Sequence, residues 1–574
     1  MPRVASCLLA LAAPLVFGLL SVALGQDANW DLRNYHRYDP WALLDGRLRT
    51  DLAPAGMPSY FNPLLDLPYY VLSQVLPGRV LAFAMGAWHG VNAPLLYAIG
   101  RAALPDARDR VKLLAFAGLG CLGSAFLSEI GNTMGDDTTA PFLLAALALV
   151  LHAGPRTPTT RFVVAGLVAG AGIGLKLTNA PYGLALLVAM LVSAAPSRVA
   201  RAAALALGLA IGVAFTFGPW AVTLQLHFGN PFFPQFNALF GSPLAAATSI
   251  VDDKWFASGP VEALLFPFVF TLFPMRIHEI PLANPLWPLA YGLFLAAAAA
   301  GLVRMRASRS DAPSRTLFAF AIVAYLAWLL VFSIGRYLIV LELLLPLLVW
   351  LLSHRLFRAR VAAAVACAGF VPALALPFVH FETWGNAPFA ELPYRVDAPT
   401  VVDPALATVL VLTAPVAWTL PDFPRELAFV GRNGSFPESP GYRERVRSIL
   451  DARGGPIYAL LPADTTEAAS GLARMNAFLE RHEVRADDLV CRYAKAALAN
   501  APAKDVVFDE GNRDACRFRR DIQRNRLSDR DAATIAHAIE ADGLHVDLAT
   551  CTIFRAWLGA TPFDYRFCPV NRDR

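Results

Sequence analysis

The chain has 574 residues, of which 56% are hydrophobic and only 16% are charged, with a mean hydropathy of +0.48 and a formal net charge of +5. Soluble domains are about 45–50% apolar and about 25% charged, so this composition excludes a purely soluble protein and indicates many membrane-spanning helices. The arginines of the apolar portion lie mainly in short loops, which indicates membrane topology and no nucleic-acid partner.

About eleven apolar runs have roughly the length that a membrane-spanning helix needs. They lie near residues 4–25, 79–100, 112–130, 138–153, 162–175, 179–195, 200–222, 285–303, 316–334, 337–353 and 360–378. The first run could instead be a cleaved signal peptide, because Ala23-Leu24-Gly25 resembles a cleavage site, but its apolar core of about 21 residues exceeds the usual 7–15. An uncleaved helix is the favoured interpretation.

Basic residues concentrate in alternate loops between these runs, and the positive-inside rule places those loops in the cytoplasm. They are Arg101, Arg108, Arg110 and Lys112, then Arg156 and Arg161, then Arg198 and Arg201, then Arg304, Arg306, Arg309 and Arg315, and finally Arg355, Arg358 and Arg360. A further apolar segment, Val261–Pro274, is short and carries two prolines, and counting it as a span would put Arg304–Arg315 outside. We therefore expect a re-entrant or interfacial helix there. The N-terminus is then cytoplasmic, and everything from Val379 onward lies outside.

The polar segments are predicted on the outer face: loops 26–78, 131–137 and 225–284, and the C-terminal portion 379–574. That portion alternates β-like with helical runs, which predicts a small α/β domain. The β-like runs are Val409–Leu412, Ile457–Leu461 and Asp505–Val507, and the helical runs are Tyr442–Ala452 and Glu467–Arg481. The predicted fold class is an α-helical polytopic membrane protein, residues 1–378, with a C-terminal periplasmic α/β domain, residues 379–574.

The seven cysteines fall into two groups. Cys7, Cys121 and Cys367 lie inside apolar runs and are expected to be small buried hydrophobes. The other four fall in the predicted outer domain, where an oxidising compartment favours disulfides, and three pairings remain open. These are Cys491, Cys516, Cys551 and Cys568.

Polar and aromatic residues follow the first apolar run in the stretch "NWDLRNYHRYDP". Asp31 lies a few residues beyond the run, and Tyr35, His36 and Asp39 come after it. An isolated Asp here would be read as a helix cap or a solvated charge. Carboxylates mixed with aromatic rings are typical of carbohydrate sites, and the stretch therefore predicts one.

The second outer loop, "GNTMGDDTTAPF", places Asp136 and Asp137 at the start of the fourth run. Capping the helix dipole explains one acid, at roughly 0.3–1 kcal/mol. Two consecutive acids at a membrane boundary are costly, which favours a functional role.

Four further residues near predicted outer helix ends are candidates for binding a phosphate. Lys176 stands in "GLKLTNAPY", His278 in "MRIHEIP", and Arg336 and Tyr337 in "SIGRYL". Lys176 could equally be a snorkelling lysine. Arg336 opposes the positive-inside bias, and a lipid-linked phosphate would account for it, because guanidinium binds phosphate through two parallel hydrogen bonds.

This arrangement resembles the GT-C superfamily of membrane glycosyltransferases that use polyprenyl-phosphate sugars, related to the dolichyl-phosphate-mannose mannosyltransferase type. The resemblance is carried by Asp31 after the first helix, by Asp136 and Asp137 between the third and fourth, and by the basic residues of later outer loops. The stretch "HFGNPFFPQFNALFGSP" followed by "DDKWF" is similar to bacterial members. The resemblance covers the chain to about Phe378, in layout more than in continuous sequence.

The resemblance implies an inverting transferase of a bacterial inner membrane that moves a hexosyl or pentosyl group to a lipid, glycan or protein acceptor. Asp31 would be the general base, with Arg336, Lys176 and more weakly His278 on the leaving phosphate. The family often has paired acids in the first loop, whereas Asp31 is flanked by Asn29, Trp30 and Asn34, so Asp39 is an alternative base. No cofactor is expected, and a divalent metal ion at the acidic cluster stays an alternative.

Other function classes fit parts of the pattern. A secondary transporter would carry ionisable groups near the membrane midplane and related halves, whereas these charges sit at predicted helix ends. A non-enzymatic envelope assembly protein would use the C-terminal domain as its working part. An O-antigen ligase or polymerase would also use a lipid-linked glycan, but a longer one.

Overall fold

The structure is a computed structural model that describes residues 2–104, 109–193, 197–248, 252–301, 312–463, 466–499, 506–509, 514–520 and 526–573. The chain divides into two compact units. The helical unit comprises Met1–Leu32, Asn62–Ser242 and Ala247–Pro393, and the α/β unit comprises Arg33–Phe61, Pro243–Ala246 and Tyr394–Arg574. Residues 33–61 of loop 26–78 therefore belong to the same unit as the C-terminal portion.

Most helices of the described residues are apolar and belong to the helical unit. In chain order they are α1 Pro2–Leu24, α2 Tyr38–Leu44, α3 Leu67–Ser73, α4 Gly78–Gly90, α5 Asn92–Ala103, α6 Arg110–Gly120, α7 Ser124–Ser128, α8 Asp136–Leu151, α9 Thr160–Leu175, α10 Ala180–Val192, α11 Arg198–Thr216, α12 Gly218–Phe228, α13 Asn237–Phe240, α14 Pro260–Leu272, α15 Leu286–Ala299, α16 Ala312–Val331, α17 Ile339–Leu356, α18 Ala359–Val379, α19 Pro440–Arg453, α20 Thr466–Arg481, α21 Leu489–Ala499 and α22 Arg526–His537. Helix α2 and helices α19 to α22 belong to the α/β unit.

Four helices in the described part of the chain are long and apolar enough to cross a membrane: Arg198–Thr216, Ala312–Val331, Gly335–Leu356 and Ala359–Val379. Several shorter apolar helices, such as Thr160–Leu175 and Leu286–Ala299, accompany them. The predicted helical fold class with a C-terminal α/β domain is confirmed. The count of about eleven spans stays a prediction. The predicted membrane topology also stays a prediction. Four of the arginines on which it depends, Arg108, Arg304, Arg306 and Arg309, lie outside the described residues.

Three predicted spans are each built from two helices. Run 79–100 forms α4 and α5, run 112–130 forms α6 and α7, and run 200–222 forms α11 and α12. The last break falls just before Pro219, which has no N–H to continue a helical hydrogen-bond ladder. At the start of α7, the carboxylate of Glu342 accepts the backbone N–H of Ala125 at 2.9 Å, which satisfies a donor that a new helix leaves open. The predicted helix Val261–Pro274 is α14, and its re-entrant or interfacial character stays a prediction.

Glycines allow two helices of the helical unit to approach closely. Gly166 and Gly170 on α9 face α11, and Gly208 and Gly212 on α11 face α9. A Cβ on Gly166 would overlap the carbonyl oxygen of Leu205, so the two backbones are in direct contact there. Small residues at four-residue spacing are the usual means of packing apolar helices without a hydrophobic driving force. This packing fixes the end of α9, where Lys176 follows.

The α/β unit contains most of the strands. In chain order the strands of the described residues are β1 Gln26–Asp27, β2 Asn386–Ala387, β3 Tyr394–Val396, β4 Thr408–Val411, β5 Ala428–Gly431, β6 Ile457–Pro462, β7 Val506–Phe508, β8 Phe518–Arg520, β9 Leu544–Val546, β10 Thr552–Phe554, β11 Ala556–Leu558, β12 Thr561–Pro562 and β13 Tyr565–Arg572. The main sheet has the order β10-β13-β6-β4-β5, with β9 beside β13. Strand β4 is parallel to β5 and β6, and β13 is antiparallel to β6. The predicted strands and helices of this domain are confirmed as β4, β6, β7, α19 and α20.

The segment Arg33–Phe61 is built into this sheet. Leu52 lies beside β5, since its N–H donates to the carbonyl of Phe429 at 2.9 Å and its carbonyl accepts the N–H of Gly431 at 2.7 Å. Next to it, Arg47 and Asp51 form a buried pair with two parallel hydrogen bonds of 2.9 and 2.6 Å. An edge strand with unpaired backbone groups is thereby covered by a segment of the first loop.

Asp51→Ala is expected to destabilise the α/β unit by about 3–5 kcal/mol, because it leaves the buried guanidinium of Arg47 without its carboxylate. Tyr38 and the N–H of Phe429 lose the same acceptor. Asp45→Ala is the matched control in the same loop, since its partner Arg425 is 77% exposed and such pairs contribute at most about 1 kcal/mol. Thermal unfolding of both full-length variants in detergent checks this, and equal melting temperatures would contradict it.

The predicted disulfides are confirmed, with the pairs Cys491–Cys516 and Cys551–Cys568. Cys121 is buried, as predicted for the cysteines of apolar runs, whereas Cys367 is exposed on the surface of α18. The side chain of Cys7 lies outside the described residues. The exposure of Cys367 has a simple reason, since an apolar run that faces lipid needs no protein partner on that side.

Candidate functional site

Four of the predicted site residues of the helical unit meet at the ends of apolar helices. Asp31 follows α1, Asp136 opens α8, Lys176 follows α9, and Arg336 lies in the 3₁₀ turn Gly335–Leu338 that leads into α17. Although they are far apart in the chain, they form two ion pairs that share neighbours. The helix ends therefore place two carboxylates and two cations in one cluster, which we call the paired-charge site.

The first ion pair joins Arg336 to Asp31. Nη1 of Arg336 lies 3.0 Å from Oδ2 of Asp31, and the two side chains are 15% and 13% exposed. The guanidinium also lies 5.7 Å from the ring centroid of Trp384, and its Nη1 is 3.6 Å from the sulfur of Met134. Nε of Arg336 has no hydrogen-bond partner among the described residues. The pair is thus held by one of the five N–H groups of the guanidinium.

The second ion pair joins Lys176 to Asp136. Nζ of Lys176 lies 2.7 Å from Oδ2 of Asp136 and donates to the backbone carbonyl of Met134 at 2.6 Å. The ring of Tyr337 lies near both cations, at 5.5 Å from Lys176 and 5.4 Å from Arg336. A mostly buried setting strengthens charge interactions relative to water. The paired-charge site is therefore a compact electrostatic unit with Tyr337 and Met134 in contact with both of its cations.

Asp27 fixes the position of Asp31. Its Oδ2 accepts the backbone N–H and the hydroxyl of Thr133, both at 2.8 Å, and its Oδ1 accepts the N–H of Asn29 at 3.0 Å. The side chain of Asn29 donates to Thr133 at 3.0 Å and accepts the N–H of Leu32 at 2.7 Å. The segment that carries Asp31 is thereby tied to the loop that precedes Asp136. This role of Asp27 is not identified by the sequence analysis. The feature that could have indicated it is the position of this acid, three residues after the end of α1.

Asp137 does not join the paired-charge site. It is fully buried, its backbone N–H donates to Glu129 at 3.1 Å, and its Oδ2 lies 3.9 Å from Nδ1 of His89. That nitrogen accepts the N–H of Gly131 at 3.2 Å, so the proton of the neutral ring is on Nε2, which lies 3.0 Å from the hydroxyl of Thr138. Sequence reasoning missed Glu129 and His89, although an ionisable residue inside an apolar run is a recognised signal.

His278 is buried next to Arg336. A Cβ on Gly335 would overlap its imidazole ring, so the ring lies directly against the turn that carries the arginine. Burial, together with the charge of Arg336, lowers the pKa of His278 to about 3. The ring is therefore neutral at physiological pH, and it offers a hydrogen bond rather than a positive charge.

Gly335→Ala is expected to destabilise the helical unit by about 1–3 kcal/mol and to lower activity, because the added methyl group must displace either the His278 ring or the Arg336 turn. Gly292→Ala on α15 is the control, since its Cβ would meet open space and alanine favours helix. Thermal unfolding of the two variants checks the prediction. A Gly335→Ala protein as stable as Gly292→Ala would contradict it.

The remaining candidates, Tyr35, His36 and Asp39, belong to the α/β unit. The rings of Tyr35 and His36 are 4.1 Å apart, and Tyr35 makes an edge contact with Phe61 at 5.4 Å. Asp39 is buried in the first turn of α2. Arg37, in the same segment, pairs with Asp422 at 2.6 Å and donates to the carbonyl of Trp418 at 2.6 Å. These residues are thus built into the α/β unit, and their substrate-binding role stays a prediction.

Among the described residues, no group of three or more His, Cys, Asp or Glu side chains is arranged to hold a metal ion. The two acids of the paired-charge site each lie next to a basic side chain, at 2.7 Å for Asp136 and 3.0 Å for Asp31.

No protein-family model matches the chain, and no curated protein matches it. Two crystal structures of ArnT from Cupriavidus metallidurans are similar to it. The one bound to undecaprenyl phosphate aligns over 65% of this chain and 65% of that chain, just under two thirds of each, with 19% identity and a TM-score of 0.41. The one in the apo state aligns over 82% of this chain and 95% of that chain, with 17% identity and a TM-score of 0.45. At such identities, the roles of this chain's residues rest on its own geometry.

Proposed function

We propose that the chain is a membrane glycosyltransferase of the GT-C type, which moves a sugar from a polyprenyl-phosphate donor to a hydroxyl group of an envelope acceptor. The reaction takes place on the periplasmic face of a bacterial inner membrane, and the acceptor is a lipid, a glycan or a protein. The observation that supports this proposal is the paired-charge site, because it combines carboxylates with phosphate-binding cations at the ends of apolar helices.

The proposed reaction is a single displacement at the anomeric carbon. The carboxylate of Asp31 takes the proton of the acceptor hydroxyl while that oxygen forms a bond to the anomeric carbon. The bond from the anomeric carbon to the phosphate oxygen breaks, and its electron pair leaves on the polyprenyl phosphate. Attack opposite to the leaving group inverts the configuration of the sugar.

Arg336 is the residue that we assign to the departing phosphate. Its Nε–H is buried and has no acceptor among the described residues, and a phosphate oxygen bound beside the guanidinium would supply that acceptor while a second oxygen binds a terminal nitrogen. Charge develops on the phosphate as the bond to the sugar breaks, and a cation held in place stabilises that charge without reorganisation. Lys176 adds a second positive charge, 5.5 Å from the ring centroid of Tyr337.

The same geometry argues against a secondary transporter. A transporter would place its ionisable groups where they exchange between two sides of the membrane, whereas both ion pairs here are tied to loops at helix ends. Asp27 and Met134 fix those loops through backbone hydrogen bonds. A non-enzymatic assembly protein gives no reason for a buried arginine Nε–H without an acceptor among the described residues.

The test is transfer by the purified full-length protein in detergent, supplied with a polyprenyl-phosphate sugar labelled in the sugar and with an extract of envelope lipids and glycans. We expect labelled acceptor and free polyprenyl phosphate in equal amounts. Uptake of a solute by reconstituted vesicles, without release of polyprenyl phosphate from any donor tested, would contradict the proposal and favour the transporter.

A further inference from the structure

The base and the phosphate-binding cation of the proposed reaction are bound to each other. Oδ2 of Asp31 lies 3.0 Å from Nη1 of Arg336. Resting on the proposed function, we infer that Asp31 is the counter-ion of Arg336 until the donor arrives, and that the donor phosphate releases Asp31 to act as the base. Donor binding then activates the residue that the acceptor needs.

A carboxylate in an ion pair is a poor base. Its charged form is stabilised by the neighbouring cation, which lowers its affinity for a proton. In addition, the oxygen that contacts Arg336 is already an acceptor, and a hydroxyl must compete with a charged donor for it. The acceptor hydroxyl therefore gains a competent base only when Asp31 separates from Arg336.

The geometry of the pair favours exchange. Asp31 engages Arg336 through one terminal nitrogen, while Nε has no partner among the described residues. The chain contains a contrasting pair in the α/β unit, where Arg47 binds Asp51 through Nε and Nη2 at 2.9 and 2.6 Å. Arg47 is 5% exposed, whereas Arg336 is 15% exposed. The Arg47–Asp51 pair uses two nitrogens of its guanidinium, whereas the Arg336–Asp31 pair leaves the buried Nε–H without an acceptor, which a second anion would supply.

Arg336 has contacts that keep it in place when Asp31 leaves. Its guanidinium lies 5.4 Å from the ring centroid of Tyr337 and 5.7 Å from that of Trp384, so two aromatic rings stabilise its charge. Asp31 is followed directly by the π-helical turn Leu32–His36, a helix type that is common at functional sites. In the inferred exchange the carboxylate of Asp31 moves, and the phosphate takes the position that it leaves.

The test measures binding without turnover. Polyprenyl phosphate, which lacks the sugar, is titrated into the full-length protein in detergent, and the dissociation constant is measured for wild type, Asp31→Asn and Asp31→Ala. Because the competing anion is gone, we expect both variants to bind about tenfold more tightly than wild type. Asp252→Asn is the control for the loss of a negative charge, because the Asp252 side chain pairs with Lys254 and is 49% exposed. The Asp252→Asn variant should bind polyprenyl phosphate like wild type.

The outcomes separate this inference from the proposed function. Folded Asp31 variants that bind polyprenyl phosphate as wild type does, or more weakly, would overturn the counter-ion role and leave the transferase proposal standing. Tighter binding by Asp252→Asn as well would also overturn it, because a general charge effect would then explain the gain. Failure of wild type and of all variants to bind polyprenyl phosphate would overturn the proposed function itself.

Discussion

Asp31→Asn is expected to lower the rate of sugar transfer by about 10²–10⁴-fold, the usual effect of removing a general base. The substitution keeps the size and shape of the side chain, removes its negative charge and replaces one acceptor oxygen by an NH2 donor. We expect a smaller loss of stability than for deletion of the side chain, because asparagine keeps an oxygen that can accept a hydrogen bond from Arg336, and Asp27 holds the same segment to Thr133. A loss of activity without a loss of folding is thus the signature of a base.

The measurement compares initial rates of transfer for purified wild type, Asp31→Asn and Asp39→Asn, with thermal unfolding of each protein as the check on folding. Asp39 is the alternative base in the same stretch of sequence. A folded Asp31→Asn enzyme within about threefold of the wild-type rate would rule out the assignment. A large effect confined to Asp39→Asn would move the base to that residue.

The sequence alone is enough to select the residues of the paired-charge site, and the reason is physical. Ionisable residues at the ends of apolar runs are costly, so they are few, and the alternation of spans predicts which of them share a face. Asp31, Asp136, Lys176 and Arg336 meet that criterion, and the structure brings all four together. Their assignment as substrate-contacting residues stays a prediction.

The pairing within the site could not be predicted. Arg336 contacts Asp31 rather than Asp136 because of how α1, α8 and α17 meet, and hydropathy carries no information on that packing. Asp137, adjacent in sequence to Asp136, is directed to the interior because successive residues of a helix point about 100° apart. A one-residue difference at the start of α8 therefore separates two buried acids, of which Asp136 pairs with Lys176 and Asp137 lies beside Glu129 and His89.

The division of the first loop, residues 26–78, between the two units could not be predicted from the sequence either. The segment around Leu52 pairs with β5, which lies far along the chain. For example, Asp51 accepts the backbone N–H of Phe429, and these two residues are 378 positions apart. Nothing local to "WALLDGRLRTDLAPAG" marks it as part of a distant sheet, because an edge pairing is specified by both partners. Long-range pairing of this kind is what single-sequence patterns do not encode.

Arg336→Gln is expected to lower the kcat/KM of transfer by about 10²–10³-fold, because the departing phosphate loses a preorganised cation. Arg336→Lys should restore little of this activity, since an ammonium is a point charge that cannot bind two phosphate oxygens in parallel as a guanidinium does. Arg425→Gln, at a 77% exposed arginine, is the control and should leave the rate unchanged.

The Lys variant is the decisive comparison, because it keeps a positive charge but has no planar pair of donors that could bind two phosphate oxygens in parallel. It also lacks the Nε–H for which the described residues provide no acceptor. Rates are measured with saturating acceptor and varied donor, so that weaker donor binding and slower chemistry separate as KM and kcat. An Arg336→Lys enzyme with wild-type kcat/KM would show that charge alone suffices, and Arg336 would then be a general electrostatic attractor rather than the ligand of the leaving phosphate.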